Sequence, residues 1–213
     1  MPGRVISITQ QKGGTGKTTI VAHLAVTLAA QGMPVAILDV DPQGSLGEWF
    51  EARERTFGPE KAGICFRTAS GWGAKREARS LAHDHAIVII DTPPKSDLEA
   101  RHAVGVANLV IVPVQPTPVD LWATEATLEM IAREGKRPLL ILNRVPPRAS
   151  LTAQMLKVIE TLGPAAAESQ IGNRIAFAEC MGRGCTINET DPSNKGAAEV
   201  AALAGEVARR LAA

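Results

Sequence analysis

The chain has 213 residues, 45% hydrophobic and 21% charged, with 23 basic against 22 acidic side chains. This balance excludes a disordered polyelectrolyte and predicts one globular domain over residues 1–213. Tyr is absent and the aromatics are three Trp and four Phe, so the core is expected to be aliphatic and tyrosine-dependent mechanisms are excluded.

Cys65, Cys180 and Cys185 form no CxxC pair, which argues against a disulfide framework or a zinc site. No apolar run reaches the ~18 residues of a membrane span, and the N-terminus lacks an apolar signal region. A cytoplasmic protein is expected. The charge is slightly uneven: residues 1–135 carry 13 basic and 15 acidic side chains, whereas residues 136–213 carry 10 and 7. That is a weak basic bias toward the C-terminal end.

In chain order, a strand is expected at Arg4–Thr9, then a helix at Lys17–Gln31 closed by Gly32. A second strand, Pro34–Leu38, runs into Asp39-Val40-Asp41-Pro42, and a helix follows at Ser45–Arg55. Ile64–Thr68 reads as a strand and Lys75–His83 as a helix. The fully apolar strand Ala86–Ile90 ends at Asp91-Thr92-Pro93-Pro94. Helix Asp97–Val106, strand Leu109–Pro113, helix Val119–Glu134, strand Pro138–Asn143 and helix Leu151–Leu162 complete the alternation. Gly and Pro scattered through 164–192 leave that stretch unassigned. Ser193–Leu211 is an Ala-rich final helix. Near-continuous Val/Ile/Leu strands suit a sheet buried on both faces. The expected fold is therefore α/β, a single domain with a mostly parallel twisted sheet flanked by helices, and ligands at the carboxyl edge of the strands.

Between the first strand and helix lies Gln10-Gln11-Lys12-Gly13-Gly14-Thr15-Gly16-Lys17-Thr18-Thr19. The common phosphate-loop pattern G-x-x-x-x-G-K-[ST] fails here at one place, where Gln11 stands for Gly. Its physical parts are present. Gly13, Gly14 and Gly16 let the backbone curl with its N–H groups inward, and the helix N-terminus completes an anion cradle with Thr15 and Thr19. Lys17 is placed to reach β- and γ-phosphates, and Thr18 to offer a hydroxyl to Mg²⁺. Asp39 and Asp41, two apart on an extended segment, can face one site. Asp91, at the end of a buried strand, has the position of a carboxylate that contacts Mg²⁺ directly or through water. Asn143, at a strand end, offers one acceptor and two donors to a base edge.

The run Lys12-Gly13-Gly14-Thr15-Gly16-Lys17-Thr18 resembles the deviant Walker A motif of the ParA/MinD family of ATPases. Asp39-Val40-Asp41-Pro42-Gln43-Gly44 is similar to that family's first switch, and Asp91-Thr92-Pro93-Pro94 to its second. The resemblance implies a P-loop NTPase fold, ATP and Mg²⁺ as cofactors, and a homodimer that forms with ATP. It implies that Lys12 reaches across the dimer to the partner subunit's phosphates, that Asp41 orients the attacking water, and that Asp39 supports the metal's water shell. It assigns adenine to Asn143, with a contribution from Asp191–Ala198. Because the chain opens directly on the phosphate-loop strand, it looks like the small ParA class, similar to ParF, without an N-terminal helix-turn-helix domain.

The resemblance further implies non-specific DNA binding by the ATP-bound dimer, on the nucleoid. The candidate cations are Arg148, Arg174, Arg183 and Lys195, with Arg209 and Arg210 behind them. A centromere-binding or cargo adaptor protein would stimulate slow hydrolysis, segregating a plasmid or other cargo. Two alternatives stand beside this one. A membrane-recruited regulator of the MinD type would end in a basic amphipathic helix, but the tail Glu199–Ala213 is mostly Ala and reads as core-packed. A metabolic ligase of the same superfamily would need a carboxylate-substrate pocket, for which no residues stand out.

Overall fold

The computed structural model describes residues 2–94, 97–147, 157–159 and 165–212. Among the described residues, seven strands form one sheet in the order β3-β2-β4-β1-β5-β6-β7. They are β1 (Arg4–Ile8), β2 (Val35–Asp39), β3 (Cys65–Thr68), β4 (Ile87–Asp91), β5 (Leu109–Val114), β6 (Pro138–Leu142) and β7 (Ala165–Ala166). Every pairing is parallel, so the sheet is wholly rather than mostly parallel. The helices are α1 (Lys17–Ala30), α2 (Ser45–Phe57), α3 (Ala74–Asp84), α4 (Asp97–Val106), α5 (Pro118–Arg133), α6 (Ile175–Met181), α7 (Ile187–Thr190) and α8 (Lys195–Ala212).

Alternate strand residues feed two apolar layers, as period-2 geometry requires. Ile6, Ile37, Ile89 and Ile111 pack with Val21, Leu24 and Leu28 of α1 and with Val200, Leu203 and Val207 of α8. Val5, Leu38, Val88 and Val110 pack on the other face with Leu81 of α3, Val104 of α4 and Ile131 of α5. Burying each such side chain contributes about 1.5–3 kcal/mol. Helix α1 is buried nearly all round because the sheet covers one side and α8 the other. The final helix thus packs into the core through Val200, Leu203 and Val207.

The unassigned stretch 164–192 contains β7, α6 and α7. They escape pattern reading because each is short: two, seven and four residues. The expected helix Leu151–Leu162 lies outside the described residues except at 157–159, which are helical.

Register brings the chemistry to one edge. Ile8 pairs with Asp91, and Asp91 with Asp39. The ends of β1, β2 and β4 are therefore level, and both carboxylates are the last residues of their strands. The phosphate loop leaves β1 at this edge, beside the point where the strand order reverses from β4 to β5 around β1, which is where open α/β sheets bind ligands.

Candidate functional site

Gly16 caps α1 in the left-handed region (φ 90) with no side-chain acceptor, and the first turn holds no acid. The amides that open α1 therefore have no capping side chain and can receive an anion. Lys17, the first residue of the helix, is only 7% exposed. Burial lowers its pKa, while Asp91 and Asp41 pull it back up. Asn143 donates from Nδ2 to the Thr15 carbonyl at 2.7 Å, so the strand-end amide braces the loop from behind.

Thr18 donates its hydroxyl to Asp91 Oδ2 at 2.6 Å. Asp91 is 1% exposed, and its Oδ1 has no hydrogen-bond partner. Burial pushes the carboxyl up to about 7, against the Thr18 bond and helped by nearby Asp39. An orphaned buried carboxylate oxygen beside a threonine hydroxyl fits a hard divalent cation that prefers oxygen ligands. Among the described residues no group of three His, Cys, Asp or Glu could cage a metal. A Mg²⁺ held by Thr18 and Asp91 would therefore complete its shell with phosphate and water oxygens.

The two switch aspartates differ. Asp39 accepts from the Asp41 amide at 2.9 Å and from the Gly47 amide at 3.3 Å. Its carboxylate thereby also fastens the start of α2, and burial raises its pKa. Asp41 accepts from the Gln43 amide at 2.9 Å and lines a cavity of about 450 Å³ with Gly13, Gly14, Lys17, Thr18 and Pro94. A second cavity, about 310 Å³, shares Gly16, Thr19 and Arg144 with the first. Ile20, Leu24, Phe177 and Leu203 make its apolar walls, and Asn143 and Asn173 its polar rim. One polar compartment thus adjoins one apolar compartment, as a phosphorylated ligand with a flat base would require.

Lys12 belongs to the loop but lines neither cavity. Its Nζ lies 2.8 Å from Asp120 Oδ1 on α5. Of the expected DNA-facing cations, Arg183 and Lys195 are exposed and enter no ion pair among the described residues. Arg174 is instead bound to Glu199 through Nε and Nη2, which holds its pKa above the usual guanidinium value. Arg209 and Arg210 pair with Glu168 and Glu206. Arg148 lies outside the described residues.

Three features escape sequence reading. Gln10 is buried and reaches α5, donating to Thr124 at 2.9 Å and accepting from Thr127 at 2.7 Å. Asp120 sits three residues after Thr117, which caps α5 ahead of Pro118; that Thr-Pro-x-Asp start is a readable helix signal but not a readable lysine partner. His23, on α1 at the base of the apolar cavity, lies within 2.9 Å of the Thr19 carbonyl through Nδ1, and its Nε2 accepts from the Ile187 amide at 3.1 Å.

A parallel α/β sheet with a glycine-bearing anion loop and a cation-ready carboxylate at its switch point defines a P-loop-type nucleotide-binding domain. Residues 6–187 match the CobQ/CobB/MinD/ParA nucleotide binding domain, and the chain belongs to that family. It is 27% identical over 200 residues to maintenance of carboxysome distribution protein A of Halothiobacillus neapolitanus, covering 91% of each chain. It is 30% identical over 246 aligned positions to the chromosome-partitioning ATPase Soj of Thermus thermophilus, covering 98% of this chain and 96% of that protein. Its fold superposes on the septum site-determining protein MinD of Pyrococcus horikoshii, complexed with Mg-ADP, with a TM-score of 0.80 at 24% identity over 96% of each chain.

Proposed function

We propose that this chain is an ATP-dependent positioning ATPase that dimerises on ATP and hydrolyses it slowly until a cargo-bound adaptor stimulates it. The observation that carries the nucleotide reading is the buried, half-orphaned Asp91 carboxylate beside Thr18 and Lys17. The relatives named for carboxysome distribution and chromosome partitioning support the positioning role.

In this reading the amides of Gly13–Thr19 cradle the phosphates, and Lys17 neutralises the β- and γ-oxygens. Thr18 and Asp91 would hold Mg²⁺, with Asp39 behind them. When bound, Mg²⁺ would supply positive charge to offset the charge that builds on the transferred group. Asp41 aims the attacking water, and Lys12 adds a second cation at the γ-phosphate of a second copy, which makes dimerisation depend on that phosphate. Asn143 has one N–H spent on Thr15 and offers its remaining capacity to adenine in the apolar cavity.

Exposed Arg183 and Lys195, with Arg148, supply cations for non-specific DNA; Arg174 contributes only if it leaves Glu199. The test is binding to a random-sequence duplex with ATP, with ADP and without nucleotide, at two salt concentrations. Binding that needs ATP, weakens with salt and vanishes in Lys12→Ala supports the reading. Each lost phosphate contact in Arg183→Ala or Lys195→Ala should reduce the log–log salt slope by about 1. No DNA binding in any nucleotide state, with hydrolysis intact, overturns the DNA-based mechanism. Partner-free turnover near the ~10 s⁻¹ of ordinary enzymes overturns the switch.

A further inference from the structure

The ascending limb of the phosphate loop is fastened to one helix, α5. Gln10 bonds Thr124 and Thr127, the Gln11 amide donates to Thr127 at 3.2 Å, and the Lys12 amide donates to Gln10 Oε1 at 3.3 Å. The last link in the series is ionic: Lys12 Nζ to Asp120 Oδ1 at 2.8 Å. Asp120 is built to receive it. Its side chain is 6% exposed against 33% for Lys12. Its Oδ2 accepts from the Thr117 hydroxyl, and its amide donates to Thr117 Oγ1. The carboxylate is therefore rigid, desolvated and aimed at the lysine, whereas the lysine is the half-exposed, movable partner. As a result the ammonium sits against the first turn of α5, and Lys12 is missing from the walls of both cavities.

We infer that Asp120 is a positioning residue that holds Lys12 in cis, away from the phosphates, until a second copy of the chain offers a stronger anion. The inference rests on the proposed role of Lys12 across the dimer. Paired with Asp120, the lysine lines neither cavity, so delivering it to a phosphate of a second copy gives up this pair. The apparent affinity of the dimer is the intrinsic one scaled by the fraction of lysines already released. A symmetric dimer breaks two such pairs, so the effect enters twice. Asp120 thereby sets the threshold of nucleotide and protein at which the ATP-bound form assembles. The pair resists thermal exchange because Gln10, Thr124 and Thr127 keep the loop limb and α5 in register beneath it.

The test measures dimerisation by sedimentation velocity with Mg²⁺ and a non-hydrolysable ATP analogue, over a protein concentration series. Asp120→Asn keeps the shape and the Thr117 contact but removes the charge. It is expected to reach half-dimer at about 10-fold or more lower protein concentration than wild type, from two factors of several-fold each; Asp120→Glu should return toward wild type. An unchanged or weakened midpoint in Asp120→Asn, with wild-type Tm, overturns the inference. If instead Lys12→Ala dimerises as wild type does, the trans role of Lys12 fails, whatever Asp120 does. A second measurement needs no variant. In the nucleotide-free wild-type protein, amine acylation read by mass spectrometry should modify Lys12 several-fold more slowly than exposed Lys61, Lys75 and Lys195. Equal rates overturn the latch.

Discussion

The Thr18 hydroxyl and Asp91 Oδ2, 2.6 Å apart, tie the first turn of α1 to the end of β4 and leave the other Asp91 oxygen buried and unpaired. A carboxyl pushed up to about 7 costs the empty fold stability above that pH and nothing at low pH. Its folded pKa exceeds the unfolded one, so stability is lost as pH rises from about 4 to about 7. Asp91→Asn should therefore raise the Tm of the nucleotide-free protein by roughly 10 °C at pH 8 and leave it nearly unchanged at pH 4. The same variant should lose most of the Tm increase that wild type gains from Mg²⁺ with ADP. Differential scanning fluorimetry at the two pH values, with and without Mg-ADP, checks both halves.

Gly16 and Asn143 make a second prediction. Gly16 sits at φ 90, and a Cβ there would collide with the Asn143 amide nitrogen. Gly16→Ala meets both a left-handed backbone penalty and the loss of the Asn143–Thr15 bond, so it should destabilise by about 2–4 kcal/mol. Asn143→Ala removes only the bond and should cost about 1–3 kcal/mol. Both should weaken nucleotide binding, Gly16→Ala more. Urea unfolding and titration with a fluorescent ADP analogue separate the two effects.

Much of this was readable from residues. Val/Ile/Leu runs such as Ile87–Ile90 are buried on both faces, so their composition alone announces a parallel sheet. That the loop Gly13–Thr19 and the strand-end acids Asp39 and Asp91 meet at one sheet edge was legible because each directly follows or ends a Val/Ile/Leu-rich strand of a parallel sheet. What escaped is held by distance in the chain. Lys12 finds Asp120 more than a hundred residues away, and Gln10 finds Thr124 and Thr127 equally far off. Neither partner carries a local pattern that names the other. Arg174 reads as a free cation until α8 places Glu199 beside it. Helices α6 and α7 are too short for a hydrophobic period to show.

His23 is 2% exposed and fixed as a neutral ring: its Nδ1 faces the Thr19 carbonyl and its Nε2 accepts from Ile187. Burial lowers its pKa to about 4, only partly opposed by the Thr19 carbonyl and by Glu189; the Cys180 thiol lies 3.8 Å from Nε2. The folded pKa lies below the unfolded one, so this stability is complete above about pH 6.5 and is lost as pH falls toward 4. The loss by pH 5 is about 2 kcal/mol, or roughly 4–8 °C in Tm. Asp91 titrates in the opposite sense over the same range, so the measurement belongs in the Asp91→Asn background. There, Tm should fall between pH 7 and pH 5, and His23→Gln should remove most of that slope. An equal slope in both proteins assigns the pH dependence elsewhere.

Arg53 holds a buried hydrogen-bond network away from the phosphate loop. Its guanidinium is buried where α2 meets the α6–α7 loop. It donates to the Ala62 carbonyl at 2.7 Å, to the Gly184 carbonyl at 3.2 Å and to both oxygens of Glu189 at 2.7 and 3.0 Å. It also lies over the Phe57 and Trp49 rings, 4.8 and 5.6 Å from their centroids. Glu189 in turn accepts from the Thr186 amide and hydroxyl, so the pair fixes the start of α7 and, through Ile187, the ring of His23. Removing one partner leaves the other charge poorly compensated. Arg53→Met is therefore expected to cost about 3–5 kcal/mol. Arg53→Lys should recover little, because a point ammonium cannot serve two carbonyls and a carboxylate in one plane. Restoration by Glu189→Met in the Arg53→Met background, read by urea unfolding, would show that the stranded carboxylate carries most of the penalty. A double variant as unstable as the single one would place the cost in the lost bonds to Ala62 and Gly184 instead.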